Sequence, residues 1–448
     1  MEFLGVRPLF YAPRARHPPA ISEKRIHSRS PVEMKRNLRN AAKRYLPDPV
    51  LRRIQKGIRV GRLAKLRLEA TIHPRRFLHD GLPQPELVFV RARDIRYIGG
   101  SPRSVFCVWG DRGRVLDGDW DIDPQLITDT SFYQSLEMRI NLAIEWTQTP
   151  YFQRVVKEID AGEVKWNCRD AREFEEKCKE WDRTFESIRD KGYGANMGDD
   201  AISVNIDRNG RLLLNDGLHR LVFCQLLGVP EVPVTIVVRH RKWHDFRREI
   251  YEFTRSGRHC PKGMVYAPLL HVDLQAVPFQ HGHDRFEIIK DHVHGRRILD
   301  IGAHFGYFCH RFEDLGYECI AVEVHPDICY CLRKLRDAQG RTFRIVDESV
   351  FTFVERERPV VDTVLALSVF HHFIKDEYQY AKLKRMLSNL RTRVMIVEAH
   401  KSSERQMEGA FRNYECEEFL EFIQKHSGLT SAEKIGVTKD GRQLFRLR

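Results

Sequence analysis

The sequence predicts an α/β protein of more than one domain, ending in a mostly parallel sheet covered by helices. Three observations lead there. From Arg296 onward, strand-like and helix-like stretches alternate with few interruptions, the pattern of parallel strands joined by helical crossovers. The stretch ILDIGAHFGYF, residues 298–308, sets two glycines four apart between an apolar run and a helical run. A second strand–glycine–helix unit, NDGLHRL at 215–221, stands in mid-chain. At 448 residues the chain also exceeds one ordinary core.

The N-terminal segment is a basic leader over 1–80. It holds 20 Lys+Arg against 6 Asp+Glu, an excess of +14, so the rest of the chain sums to about −1 of the overall +13. Residues 1–30 are rich in Pro and Arg, a composition that does not support a packed core. Residues 31–68 carry apolar residues at loosely helical spacing among basic ones, broken at Pro47 and Pro49. Such a helix can lie on an anionic membrane surface or track phosphates. Packing on its own protein satisfies the same pattern. Few aromatics interleave with the basic residues, which disfavours nucleic acid. Met1 to Phe10 lacks the features of a secretory signal, and no apolar run is long enough to span a bilayer. The ten cysteines form no C-x-x-C pair. These features point to a cytoplasmic protein with reduced thiols, in contact with the inner face of a membrane at most through 31–68.

The middle domain is placed at 81–245. In RNGRLLLNDGLHRLVFCQLLGVPEVPVTIVVRH, residues 208–240, Asn209-Gly210 and Asp216-Gly217 bracket a short strand. A helix runs from about Leu218 to Leu227, stops at Gly228, and is followed by a strand. A helix N-terminus offers free N–H groups and the positive end of a dipole. Asp216, Gly217, His219 and Arg220 there form a candidate nucleotide or phosphate cradle, with a capped helix and a salt-bridged Arg220 as the plainer alternative. Upstream, GDWD at 118–121 supplies Asp119 and Asp121. With Asp216 these could hold magnesium in a kinase, whereas an acidic turn around a packed Trp120 explains the same residues. No spacing marks a resident metal site. The loop resembles that of the ParB/sulfiredoxin-like fold, with ELVFVRARDIRYI at 86–98 as its opening strand and about a hundred residues inserted between. The resemblance implies a bound ATP or other nucleoside triphosphate with Mg2+. The loop has no cysteine, so sulfiredoxin chemistry is excluded. Residues 246–280 read as a linker.

The C-terminal domain occupies 281–448. RRILDI precedes the helical YFCHRFEDLG, and YECIAVEV precedes PDICYCLRKLRDAQG, with Pro326 suited to a first turn and Gly340 to the end. TFRIVD, DTVLALSVF and TRVMIVEAH continue as strands between helices. SAEKIGVTK and RQLFRLR close the chain as a hairpin turning at Asp440-Gly441. In such sheets the ligand sits at the carboxyl ends of the strands. Asp300 and Gly302 fall there on the first strand, with Gly306 opening the helix. Glu323 ends the second strand, Asp347 the third, and Ser368 the fourth, ahead of His371 and His372; Glu398 and His400 follow the fifth.

This set, with the hairpin, resembles class I S-adenosylmethionine-dependent methyltransferases. Asp300, Gly302, Gly306 and Glu323 match the acid-x-Gly-x-Gly-x-Gly pattern and its following acid, and His304 replaces the middle glycine. The resemblance implies a Rossmann-like sheet with S-adenosylmethionine at Asp300, Gly302, Gly306, Glu323, Asp347 and Ser368. His371 and His372 are the candidate catalytic residues, because a histidine there can take a proton from a hydroxyl acceptor near neutral pH. His304 argues against a dehydrogenase, whose pyrophosphate needs all three glycines. The chain therefore reads as a methyltransferase acting on a small-molecule or glycan acceptor. One alternative is a bifunctional kinase–methyltransferase modifying a glycan or small molecule. The other is a nucleic-acid-associated ParB-like protein.

Overall fold

The computed structural model describes residues 87–99, 113–194, 202–258 and 260–448. The basic leader, including 31–68, lies outside these residues. Among the described residues no helix is long and apolar enough to cross a membrane.

The first unit opens with short strands β1 (Leu87–Val90), β2 (Tyr97–Ile98), β3 (Arg114–Leu116) and β4 (Gln125–Leu126). Three helices follow, α1 (Ser131–Leu142), α2 (Pro150–Asp160) and α3 (Ala171–Lys191). Each starts where a short polar side chain accepts a free backbone N–H: Thr130, Thr149 and Asp170. Next come β5 (Ile202–Ile206), β6 (Leu212–Asp216), α4 (Leu218–Leu226), β7 (Val232–His240) and α5 (Arg241–Ser256). The strands order as β1-β7-β5-β6-β2-β4, with β3 pairing further along β7. All nine residues of β7 are buried, as expected of a strand with neighbours on both edges and layers on both faces.

The second unit contains α6 (Asp284–Ile289), β8 (Arg297–Ile301), α7 (Tyr307–Asp314), β9 (Glu318–Val322), α8 (Pro326–Ala338) and β10 (Arg344–Val346). It continues through α9 (Val350–Glu357), β11 (Thr363–Leu367), α10 (Phe370–Phe373), α11 (Glu377–Asn389), β12 (Val394–Glu398), α12 (Cys416–Ser427), β13 (Ala432–Val437) and β14 (Gln443–Leu447). The sheet runs β10-β9-β8-β11-β12-β14-β13. Strands β8 to β12 pair in parallel, and only β14 runs against its neighbours. This is the Rossmann-like sheet with a terminal antiparallel hairpin. The strand order reverses between β8 and β11, so a crevice opens at their carboxyl ends.

The stretch 246–280, expected as a linker, is packed structure. Trp243, Phe246 and Ile250 of α5 join an apolar core that also contains Phe305, Ile328 and Leu335 of the second unit. At its centre the fully buried Asp273 accepts from Arg239 Nη2 at 2.6 Å and Trp243 Nε1 at 3.0 Å, and pairs with Arg247 Nε at 3.0 Å. Burial alone would push this carboxyl up, but Arg239 and Arg247 overcome it and hold it below the ordinary range. His271 Nε2 donates to the Gly210 carbonyl at 2.8 Å. A Cβ at Gly210 would stand 2.4 Å from Trp243 and 2.7 Å from Ala338, so the two units meet there backbone against side chain. A second ionic tie joins Asp314 of α7 to Arg91 beside β1 and to Arg341.

Asp273→Ala is expected to lower unfolding stability by about 3–5 kcal/mol, because it strands two buried guanidinium groups. Denaturant titration checks this; a loss no greater than that of an exposed substitution would contradict the assigned role.

Candidate functional site

The crevice holds a cavity of about 470 Å3 at the ends of β8, β9 and β11. Its floor follows from backbone conformation. Gly302, His304 and Gly306 take left-handed φ values of 74°, 51° and 78°. Glycine is favoured at 306 by its positive φ and because a Cβ would meet the tip of Leu332 of α8 at 2.5 Å. At 304 a histidine accepts a conformation that costs an L-residue about 1–2 kcal/mol. That twist aims the His304 N–H at Glu323 Oε2, 3.0 Å away. Glu323 Oε1 accepts from Val324 N at 2.8 Å and His325 N at 3.1 Å. Three backbone donors thus fix the carboxylate on the cavity lining, with remaining lone pairs open to hydroxyl donors.

The other sequence-predicted cofactor residues divide. Gly302 and Ser368 line the same cavity. Asp300 lines a small annex of about 20 Å3 that shares Gly302, His304 and Tyr266 with it. Burial raises the Asp300 carboxyl to about 7, and the Cys309 thiol donates to it at 3.7 Å. Asp347 is a correction. Its exposed carboxylate pairs with Arg333, and the cavity wall after β10 is made by Glu348, Ser349 and Val350. A strand-end position one residue early faces solvent, because successive side chains alternate faces.

The histidine pair also divides. His372 lines the cavity, whereas His371 is buried behind it beside His400. Burial, then the nearby Lys375 and Arg442, lower His372 to about 4; burial and His372 lower His371 to about 2. Both rings are neutral at pH 7, and only His372 is placed to accept a proton from a bound molecule.

Sequence reasoning missed Tyr266 on the cavity lining and the buried residues that hold it and Ser368 from behind. Arg285 of α6 pairs with Glu398 at the end of β12 and donates to Ser368 Oγ at 3.1 Å and to Tyr266 Oη at 3.0 Å. Ser368 Oγ donates to Glu398 at 2.7 Å and accepts from Arg442 Nη1 at 2.7 Å. Arg442 also binds Glu404. An arginine among the apolar residues of DRFEII was the available signal for Arg285. Arg442, just past the hairpin turn, and Tyr266, within the presumed linker, carried none.

In the first unit, Gly217 takes φ 97° and starts α4, with Asp216 accepting the Gly217 N–H at 2.8 Å. His219 is not at hand as a cation. Its ring sits among Phe132, Trp166 and Trp181 at centroid distances of 4.1, 4.5 and 4.3 Å, and burial lowers it to about 3. Arg220 keeps a buried Nη1 without a hydrogen-bond partner. The proposed magnesium trio does not assemble. Asp119 and Asp121 bind Arg208 at 3.0 and 2.7 Å, in the turn before β6, whereas Asp216 ends that strand. At ~3.3 Å per residue the strand keeps them far beyond a shared coordination sphere. Trp120 is packed in the interior, as the acidic-turn alternative expects.

Three buried histidines, His281, His310 and His371, and the half-buried His219 are held at about 2 to 4. In the unfolded chain each protonates near its ordinary ~6.5. Stability is therefore complete above about pH 6.5 and is lost as pH falls toward 4, because the unfolded state binds the protons first. Asp300, raised to about 7, opposes this as a single group: its contribution is full at low pH and is lost as pH rises through 7. The melting temperature is expected to fall steadily from pH 6.5 to 4.5; a flat or rising profile over that interval would overturn the assignment.

No family model and no protein with a curated description matches the chain. Solved structures match parts of it. The crystal structure of monomeric WbdD shares 17% identity at a TM-score of 0.36, covering 41% of this chain and 46% of that one. Another WbdD structure, described as a bifunctional kinase-methyltransferase, shares 16% at 0.36 over 41% and 43%. The match spans less than half the length of either WbdD chain. A methyltransferase domain of bacterial CtHen1 shares 13% at 0.29, covering 37% and 95%. A SAM-dependent methyltransferase from Archaeoglobus fulgidus shares 17% at 0.29, covering 37% and 90%. The assignment of the fold rests on the strand order and not on these likenesses.

Proposed function

We propose that the chain transfers a methyl group from S-adenosylmethionine to a small-molecule or glycan acceptor. The observation that carries this reading is Glu323, a carboxylate fixed by three backbone N–H groups on an open cavity at the switch point of the sheet. Glu323 would take the ribose hydroxyls, and Ile328, Ser349 and Val350 would border the adenine. The turn at Gly302, with Asp300 beneath it, would face the amino-acid end. The cofactor supplies a methyl group already activated on a sulfonium. The protein's own work is placement and proton handling. Neutral His372 accepts the proton of a hydroxyl acceptor on a ring nitrogen. Tyr266 and Ser368 line the cavity and are held from behind by the Arg285–Glu398 and Arg442–Glu404 pairs, which would give the acceptor a rigid polar surface. For the first unit the reading extends to an anion at the start of α4, supported by the unpartnered Arg220 Nη1. A kinase half is not favoured, since Asp119 and Asp121 are occupied by Arg208.

Calorimetric titration with S-adenosylmethionine and S-adenosylhomocysteine tests the cofactor. Glu323→Ala is expected to weaken both by about tenfold or more, with circular dichroism confirming the fold. Unchanged affinity would remove the central support. With a methyl-labelled cofactor and an acceptor found by fractionating small molecules and glycans, His372→Ala should slow transfer to a hydroxyl about 10²-fold or more while cofactor affinity holds. Full activity in that variant would leave His372 without a role in proton transfer.

A further inference from the structure

A second cavity, of about 590 Å3, lies between the two units, away from the methyl-transfer crevice. The first unit contributes Arg96, Tyr97, Asn209 and Arg211, and the second contributes Tyr330, Arg333, Lys334, Gln339 and Arg341. Its volume is within the range of ligand sites. Most of the charges that line it are already paired. Asp94 binds Arg91 at 2.8 Å and Asp207 binds Arg211 at 2.6 Å. Asp314 binds Arg341 at 2.6 Å, Asp337 binds Arg336 at 2.9 Å, and Asp347 binds Arg333. Every one of these carboxylates already has its own cation. Arg96 and Lys334 remain, and neither forms an ion pair with any described residue.

Their placement makes the surplus useful. Arg96 crosses the seam and lies against the Gly340 turn, where its Nη1 would be 3.1 Å from an added Cβ. Gly340 has φ 58°, so a side chain there would be both strained and crowded. Lys334 is partly buried on the facing wall, on α8. Two cations without an ion-pair partner, on opposite walls, match the charge of a phosphate monoester, about −2 at neutral pH, with Glu249 as a further acid beside Tyr330. Tyr330, 44% exposed on the same wall, offers a ring face, and the Asn209 and Gln339 amides can both donate and accept. We propose that this cleft binds a phosphate monoester of about nucleotide size, gripped between Arg96 of one unit and Lys334 of the other. Such a ligand bridges the units and strengthens their docking by mass action. The assignment is independent of the methyl-transfer reading.

The test is calorimetric titration of the full chain at constant ionic strength with inorganic pyrophosphate, adenosine monophosphate and glucose 6-phosphate. Saturable one-to-one binding is expected for at least one phosphate ester. The paired substitution Arg96→Ala with Lys334→Ala should weaken it about tenfold or more, as loss of charge-assisted hydrogen bonds implies. Lys179→Ala, which removes an exposed cation on α3, should leave it unchanged. The adenosine and glucose arms separate a nucleotide from a sugar phosphate. S-adenosylmethionine binding by the doubly substituted chain should match that of the unsubstituted chain, and Glu323→Ala should keep phosphate binding. Absence of saturable binding, or equal binding by the doubly substituted chain, would overturn the proposal. So would a short single-stranded oligonucleotide that binds more tightly than any ester and loses affinity in the double substitution.

Discussion

Asp273 is the constraint on which the arrangement of this molecule depends. Arg239 at the end of β7 and Arg247 on α5 are wholly buried, and a guanidinium cannot be buried alone without a penalty of several kcal/mol. One carboxylate, brought in by the chain after α5, answers both and also accepts from Trp243. Because Asp273 comes from the chain after α5, the cluster forms only when that chain folds back against β7 and α5. The apolar contacts of Trp243 and Phe246 then place α8 of the second unit, and with it both the cofactor-side wall near Ile328 and the interdomain wall near Lys334.

Within the second unit, topology opens the crevice and backbone conformation furnishes it. Parallel strands diverge at the reversal between β8 and β11, leaving a space that no helix fills. The turn after β8 packs three left-handed residues into five positions. Two are glycines. The third, His304, spends conformational energy so that its N–H reaches Glu323, while its ring packs near Phe305 and Tyr266. Strain and hydrogen bond are two sides of one local structure, so the carboxylate is held before any ligand arrives.

Electrostatics at this edge are set chiefly by burial. Desolvation keeps the histidines neutral and raises Asp300, whereas Arg285 and Glu398 remain an ion pair because they meet inside the protein. The edge therefore combines a neutral histidine on the lining with side chains held in place by buried ion pairs.

The alternation of strands and helices after Arg296, the terminal hairpin, and the positions of Gly302, Gly306 and Glu323 were legible in the sequence. These features are local: they follow from periodicity, from glycine's access to positive φ, and from the fixed reach of a strand. Asp347 and His371 were misplaced by one residue or one face, because a strand end read from sequence is uncertain by more than the two-residue period that decides orientation. The magnesium trio failed because Arg208, distant from Asp121 in sequence, reaches it first. The roles of Arg442 and Tyr266, the buried Asp273 and the unpaired state of Arg96 and Lys334 belong to the tertiary structure alone. Whether a charge is paired depends on which residues meet across long separations, and one-dimensional spacing carries no record of that.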